Sequence, residues 1–211
     1  GKPVGKAIVW QDRRTTEQCL RLRKDKSLTR EITKKTGLPV DPYFSATKMN
    51  WLLKNRPGNY LLGTVDTFLL YRLTAGKVFA TDASNASRTL LYNLKTADWD
   101  NELLKLFKVP ENRLPEVRDS FTFFGHTGKI PHLPEGIPIT CLLGDQQAAL
   151  FGQGCVEEGE MKCTYGTGAF AMINTGMKII QSHHGLLSTV AFRYKEESTF
   201  ALEGSCFIAG A

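Results

Sequence analysis

Ile137-Pro138-Ile139-Thr140-Cys141-Leu142-Leu143-Gly144-Asp145-Gln146-Gln147-Ala148-Ala149-Leu150 passes from an apolar run through Gly-Asp into residues that favour a helix. The run Ile137 to Leu143 reads as a strand, Gly144-Asp145 as its turn, and Gln146 to Gln153 as a helix start. A strand that feeds directly into a helix is the repeating unit of α/β folds. Ligands of open α/β sheets collect outside the carboxyl ends of strands, which is where Asp145 falls. A carboxylate there can take the proton of a substrate hydroxyl as it attacks a phosphoryl group. The same side chain could instead cap the helix that follows, and position by itself leaves both readings open.

Downstream of Gly154 the pattern changes. Met161 to Thr164, Ala169 to Asn174, Leu187 to Tyr194 and Thr199 to Glu203 read as four strands without helical periodicity, so a domain boundary is placed near residue 154. Thr164-Tyr165-Gly166-Thr167-Gly168 joins the first two of these strands. Glycines on both sides of a hydroxyl residue let backbone N–H groups approach an anion, with Thr167 adding a side-chain donor, although the same residues suit any tight hairpin. The run is not a Walker A loop.

Upstream, Ala7-Ile8-Val9-Trp10 reads as a buried strand or its end, and Thr15 with Gln18 as a capping box opening a helix. Helices follow around Leu28 to Lys35, stopping at Gly37, from Ser45 as a cap through Met49, Leu52 and Leu53, and from Thr64 with Val65, Phe68, Leu69 and Leu73 on one stripe. Lys77 to Asn93 reads as strand and turn, Trp99 to Phe107 as a short helix closed by Pro110, and residues 110–136 as mainly loop. Trp10, Tyr43 and Phe170 all fall at element edges, where a polyol pocket would lie, although each aromatic equally suits a core.

With 211 residues, of which 42% are hydrophobic and 23% charged, the chain can bury a real core and is neither disordered nor fibrous. No run approaches the roughly 18 apolar residues of a membrane span, and the N-terminal residues lead into no long apolar segment of an export signal. Cys19, Cys141, Cys155, Cys163 and Cys206 are odd in number and contain no C-x-x-C pair, which argues against a disulfide framework and a zinc site and for a reducing, cytoplasmic home. His183 and His184 are adjacent and diverge on a regular element, so no metal ligands are assigned. Residues 1–56 hold 14 Lys/Arg against 5 Asp/Glu, whereas residues 57–211 hold 13 against 16. The basic stretch from Arg13 to Lys35 lacks the interleaved aromatics of a nucleic-acid surface and reads as a solvated helical face, so no nucleic-acid partner is expected.

Taken in order, Ala7 to Gln11, Asp41-Pro42-Tyr43-Phe44-Ser45-Ala46-Thr47-Lys48, Gly63-Thr64-Val65-Asp66-Thr67, Thr81-Asp82 with Asn85-Ala86-Ser87-Arg88-Thr89, Gly144 to Leu150 and Thr164 to Gly168 follow the sequence of motifs seen in glycerol kinases. The chain resembles the FGGY family of carbohydrate kinases over essentially its whole length. The run Tyr43 to Asn55 is similar to that family's first signature. The resemblance implies an α/β protein of RNase H-like (actin-like ATPase) fold, in which residues 1–154 are the second half of the N-terminal, polyol-side domain. Residues 155–211 would then begin the C-terminal, nucleotide-side domain. It implies ATP and Mg²⁺ as cofactors, transfer to glycerol giving glycerol 3-phosphate, and a homo-oligomer in the full-length enzyme. By motif, Asp145 would be the catalytic base and bind glycerol. Gln146 and Tyr43 would bind its hydroxyls, Trp10 and Phe170 would pack on its carbons, and Gly166, Thr167 and Gly168 would hold the nucleotide phosphates.

The departures are as informative. The family's Asp-Gln-Gly-Thr-Thr phosphate loop and its glycerol-gripping Arg-Glu pair are absent, and the adenosine site is expected beyond Ala211, so the chain reads as a middle piece that does not turn over alone. The stretch between Pro57-Gly58 and Leu61 is shorter than in relatives. Residues 126–136 lack the Gly-rich, Arg-bearing loop that binds fructose 1,6-bisphosphate in some relatives, so that regulation is not carried over. His132 is a candidate, on placement only, for the phosphorylation some relatives undergo. Two rivals stand beside the glycerol reading: a sister kinase for another polyol or sugar, and a non-catalytic fragment that binds an acidic partner through its basic face.

Overall fold

Helices occupy the first third of the chain and an antiparallel sheet the last quarter. The computed structural model describes residues 2–166, 168–206 and 209–210. The elements run α1 (Thr16–Lys24), α2 (Lys26–Thr36), α3 (Ser45–Asn55), α4 (Val65–Leu73), β1 (Ala80–Asp82), α5 (Ala83–Ala86), β2 (Tyr92–Asn93), β3 (Asp98–Trp99) and α6 (Asn101–Phe107). After a 3₁₀ turn at Glu111–Arg113 come β4 (Glu116–Arg118), β5 (Phe121–His126), β6 (Pro138–Cys141) and α7 (Asp145–Gly152). The last four strands are β7 (Met161–Tyr165), β8 (Ala169–Gly176), β9 (Leu187–Tyr194) and β10 (Glu197–Cys206).

These four strands form one antiparallel sheet in the order β7-β8-β10-β9. The remaining strands pair in twos, β1 with β4 in parallel and β2–β3 and β5–β6 antiparallel. A first core gathers Ile32, Leu38, Val40, Phe44, Met49 and Phe107 between the helices. A second joins Ala83, Ala86 and Tyr92 to Val190 and Phe200 of the sheet. Such apolar burial, at roughly 25 cal/mol per Å², is what seats β9 and β10 on α5.

Polar contacts close the same seam. The Ser188 N–H donates to the Gly37 carbonyl at 3.0 Å, the Ser87 and Thr189 hydroxyls lie 2.9 Å apart, and the Arg193 guanidinium donates to Asp119 at 2.5 Å and to the Ala97 carbonyl at 2.7 Å. Gly37 is indispensable to this approach. It ends α2 in the left-handed region at φ 73°, and a Cβ there would lie 2.3 Å from the Ser188 carbonyl oxygen.

Several sequence expectations are corrected. Residues 7–10 form no strand; Ala7, Val9 and Trp10 are exposed, the Asp12 N–H closes a turn onto the Val9 carbonyl at 3.1 Å, and none of the described strands pairs with this segment. Thr15 does precede α1, but its hydroxyl meets that of Thr47 at 2.8 Å in the interior, and Gln18 reaches Asn50, so no capping box forms. Phe44, not Ser45, occupies the cap of α3. On α4 the apolar stripe faces outward: Val65, Phe68 and Leu69 are exposed, while Thr67, Leu70 and Thr74 turn inward because Leu70 packs with Ala80 and Phe124. The Lys77–Asn93 stretch contains α5 between its strands, and residues 110–136 contain β4 and β5. Trp99 lies in β3 rather than in the helix, and α6 ends at Lys108 in the left-handed region. The apolar run Ile137 to Leu143 does contain a strand, β6, yet three of that strand's four residues are exposed, and its one partner among the described strands is β5.

Candidate functional site

Asp145 is placed by a chain of hydrogen bonds that begins at Asp82. This carboxylate is fully buried and caps α5, accepting from the N–H groups of Ser84 at 2.9 Å and Asn85 at 3.0 Å, and from the Ser120 hydroxyl at 2.6 Å. The Ser84 hydroxyl then accepts the Gly144 N–H at 2.9 Å, and Gly144 is the cap of α7. Asp145 is therefore the first helical residue. Its exposed carboxylate accepts the Gln146 N–H at 2.8 Å and leaves the cap position to glycine.

Tyr43 is placed from the other side. Asp41 accepts its N–H at 2.9 Å, while Arg13 and Arg23 reach the same carboxylate at 3.0 and 2.8 Å. Asp41 thus locks the Asp41-Pro42-Tyr43 turn onto α1. Trp10, 47% exposed, stands edge-on to Tyr43 with ring centroids 5.6 Å apart. The segment bearing it is held by Lys48 of α3, whose Nζ donates to the carbonyls of Val9 at 2.8 Å and Trp10 at 3.3 Å. Burial pushes the Lys48 amine below its usual range, opposed by the nearby Asp12 carboxylate.

Behind Tyr43 lies a buried ion pair. The Arg88 guanidinium sits over the rings of Tyr43 and Phe44, at 5.9 and 5.6 Å, and donates to Glu203 of β10 at 3.0 Å. Burial raises the Tyr43 phenol above its ordinary value; the Arg88 charge works against that rise, and the Asp145 carboxylate adds to it. Trp10 and Tyr43 are thus in contact, and Asp145 acts on Tyr43 through its charge.

Gln146 and Phe170 are linked through Lys162, an inward residue of β7 that is 2% exposed. Its Nζ donates to the Gln146 side-chain oxygen, to the Thr164 hydroxyl at 3.1 Å and to the Phe170 carbonyl at 3.5 Å. Burial lowers its amine, and the carboxylates of Glu203 and Asp145 oppose that. Next to Thr164 the chain turns at Tyr165-Gly166, where the Gly166 N–H donates to the Gly168 carbonyl at 2.9 Å. Thr167, between them, lies outside the described residues.

The structure thus joins Trp10 to Tyr43 by ring contact and Gln146 to Phe170 through Lys162, and the Asp145 charge is felt by both Tyr43 and Lys162, with Gly166 and Gly168 beyond the end of the strand that carries Lys162. Sequence reading missed Asp82 and Arg88 as individual determinants, although both lie within quoted motifs, and missed Glu203 and Lys162 altogether. The available signal was strand period: Lys162 and Thr164 alternate with exposed Met161 and Tyr165. The basic face is partly occupied by the chain's own carboxylates, as Arg13, Arg14, Arg23 and Lys35 each pair with an Asp. His132 is exposed, with a left-handed backbone at φ 65°. Among the described residues no three His, Cys, Asp or Glu side chains are placed to hold a metal ion, and no helix is long and apolar enough to cross a membrane.

An α/β chain that sets a carboxylate at a helix start beside aromatic edges, with a Gly-rich hairpin nearby, defines a class that comparison makes explicit. Residues 1–152 match the N-terminal domain of the FGGY family of carbohydrate kinases, and the chain belongs to that family. Among curated proteins it is 54% identical to the glycerol kinase of Bdellovibrio bacteriovorus and 52% identical to that of Rhizobium meliloti, in each case over 100% of this chain and 44% of the relative. The chain thus spans less than half the length of these relatives. The crystal structure of Plasmodium falciparum glycerol kinase with ADP superposes with a TM-score of 0.90 at 40% identity, covering 97% of this chain and 42% of that one. A ligand-bound xylulose kinase from Lactobacillus acidophilus, at 20% identity and a TM-score of 0.81 over 97% of this chain and 42% of its own, shares the fold alone. The fold is the actin-like one of these kinases.

Proposed function

We propose that the chain is part of an ATP-dependent kinase that converts glycerol to glycerol 3-phosphate. The observation that carries this reading is the contact of Trp10 with Tyr43 and the link of Gln146 to Phe170 through Lys162, with the Asp145 charge felt by both Tyr43 and Lys162, in a chain 54% identical to a glycerol kinase. Ring faces suit the C–H backbone of a small polyol, and a carboxylate, an amide and a phenol suit its hydroxyls. In this reading Trp10 and Phe170 pack on the carbons, and Tyr43, Gln146 and Asp145 bind the hydroxyls.

Asp145 then acts as the general base. It accepts the proton of the primary hydroxyl while that oxygen bonds to the γ-phosphorus of ATP. The bond from that phosphorus to the bridging oxygen breaks, and ADP leaves. Asp145 suits the role because it is exposed at a helix start while Asp82 and Ser84 hold its backbone in place. Positioning and charge neutralisation provide most of the acceleration in such transfers.

Gly166, Thr167 and Gly168 are assigned to the nucleotide phosphates. Magnesium would arrive with those phosphates, as this ion is ordinarily held by substrate phosphates with one or two carboxylates and water. The reading includes a division near residue 154 into a polyol side (1–154) and a nucleotide side (155–211), a cytoplasmic location, and a homo-oligomer of the longer enzyme. The 211 residues alone are expected to be inactive.

The test is Asp145→Asn in the full-length protein. Glycerol affinity is expected to stay within several-fold of wild type while kcat falls by about 10² or more. Retention of turnover would remove Asp145 as the base. Preference of the wild-type enzyme for a pentulose over glycerol would overturn the substrate.

A further inference from the structure

Lys162 is the one lysine among the described residues that is buried within the sheet, and it lies beneath the polyol neighbourhood. An ammonium has three protons and no acceptor site. Here each proton has a destination: the Gln146 side-chain oxygen on α7, the Thr164 hydroxyl on the same strand, and the Phe170 carbonyl on β8. One group therefore ties together the helix that begins at Asp145, the strand that enters the Gly-rich turn, and the strand that leaves it.

The amide of a glutamine can be turned either way at little intrinsic cost, and its partners decide which end faces out. Because Lys162 can only donate, it accepts one answer: Oε1 inward, toward the ammonium, and Nε2 away from it. Gln146 is thereby given the character of a hydrogen-bond donor toward the polyol side, and the Phe170 backbone is drawn to the same centre. We propose that Lys162 is a positioning residue for polyol recognition, fixing the Gln146 amide so that its NH₂ is presented to a substrate hydroxyl and holding Phe170 beside it.

This inference rests on the glycerol reading, and the experiment separates the two. In the full-length enzyme, glycerol-dependent ADP formation by wild type tests the glycerol reading itself. Given that activity, Lys162→Met, which keeps the length of the side chain and removes its donors, is expected to raise KM for glycerol about tenfold. KM for ATP should hold within about twofold and kcat within about threefold. Gln146→Ala should raise the glycerol KM to a similar extent, and the double variant should be no worse than Gln146→Ala alone, because both changes remove the same interaction. Multiplying effects, or an equal loss of ATP affinity, would reduce Lys162 to a structural role and overturn the proposal.

Gln146→Glu gives an answer even if Lys162→Met fails to fold. A carboxylate keeps the bond from Lys162, now charge-assisted, but has no NH₂ to present. It is expected to lose glycerol affinity as far as Gln146→Ala does while melting at or above the wild-type temperature. Glycerol KM within twofold of wild type for Gln146→Glu would refute the assigned amide orientation.

Discussion

Gly37→Ala probes the junction on which the sheet is seated. Gly37 ends α2 at φ 73°, its N–H bonded to Thr33 at 2.8 Å and its carbonyl to the Ser188 N–H at 3.0 Å. An alanine would face two costs. The first is the left-handed backbone, about 1 kcal/mol for a residue with a Cβ. The second is steric: the new methyl would lie 2.3 Å from the Ser188 carbonyl oxygen, 2.7 Å from its Cβ and 2.9 Å from a Leu94 methyl. Relief requires β9 to move off the end of α2, which breaks the Ser188 bond. Overpacking of this kind costs about 1–3 kcal/mol, so the variant should lose about 2–4 kcal/mol in all. Gly185→Ala is the internal control, since Gly185 has φ 82° and nothing within 4 Å of its added Cβ, leaving the backbone cost alone. Urea unfolding of wild type and both variants reads the difference directly, provided the m-values agree. Equal losses at the two positions would refute the argument that Gly37 is required by the approach of β9.

Two other expectations follow from buried charge. Arg88→Met leaves Glu203 buried without its cation and should cost about 3–5 kcal/mol, whereas Arg88→Met with Glu203→Leu should recover most of that loss; a double variant no more stable than the single one in thermal melts would contradict it. Asp66, hydrogen-bonded by Thr64 and Thr81, is raised above its usual carboxylate range by burial. The folded state then holds its proton at a pH where the unfolded chain has released it, so its contribution is full below about pH 4 and declines as pH rises through the folded value. Asp66→Asn should remove that decline, read as the difference in melting temperature between the two proteins from pH 4 to pH 7; parallel curves would show that the group does not matter.

The elements most legible in the sequence were those whose partners lie close along the chain. All four strands after residue 154 were located, because Gly-Thr-Gly and the intervening polar runs punctuate period-two segments that pair with near neighbours. The failures have a common origin in distant partners. Ala7-Ile8-Val9 is apolar enough for a strand but pairs with none of the described strands, and β5 escaped notice because its definition comes from β6, across a loop of 11 residues. The hydroxyls of Thr15 and Ser45 were read as helix caps, yet Thr15 spends its hydroxyl on Thr47. For the proposed site, Asp145, Gln146, Trp10, Tyr43 and Phe170 were nominated by motif order. Lys162 was not, because a lysine in a strand ordinarily marks the solvent side, and only the carbonyl and amide oxygens that converge on it from other elements make its burial tolerable.

The Asp82 hub carries a warning for genetics. Under the proposed role of Asp145, a library of the full-length enzyme screened for loss of activity would return changes at Asp82, Ser84 and Ser120 beside those at Asp145, because these three keep α5, and through it the first turn of α7, in register from beneath the surface. Inactive alleles at such positions would report a misplaced carboxylate rather than a missing one, and high concentrations of substrate would not rescue them.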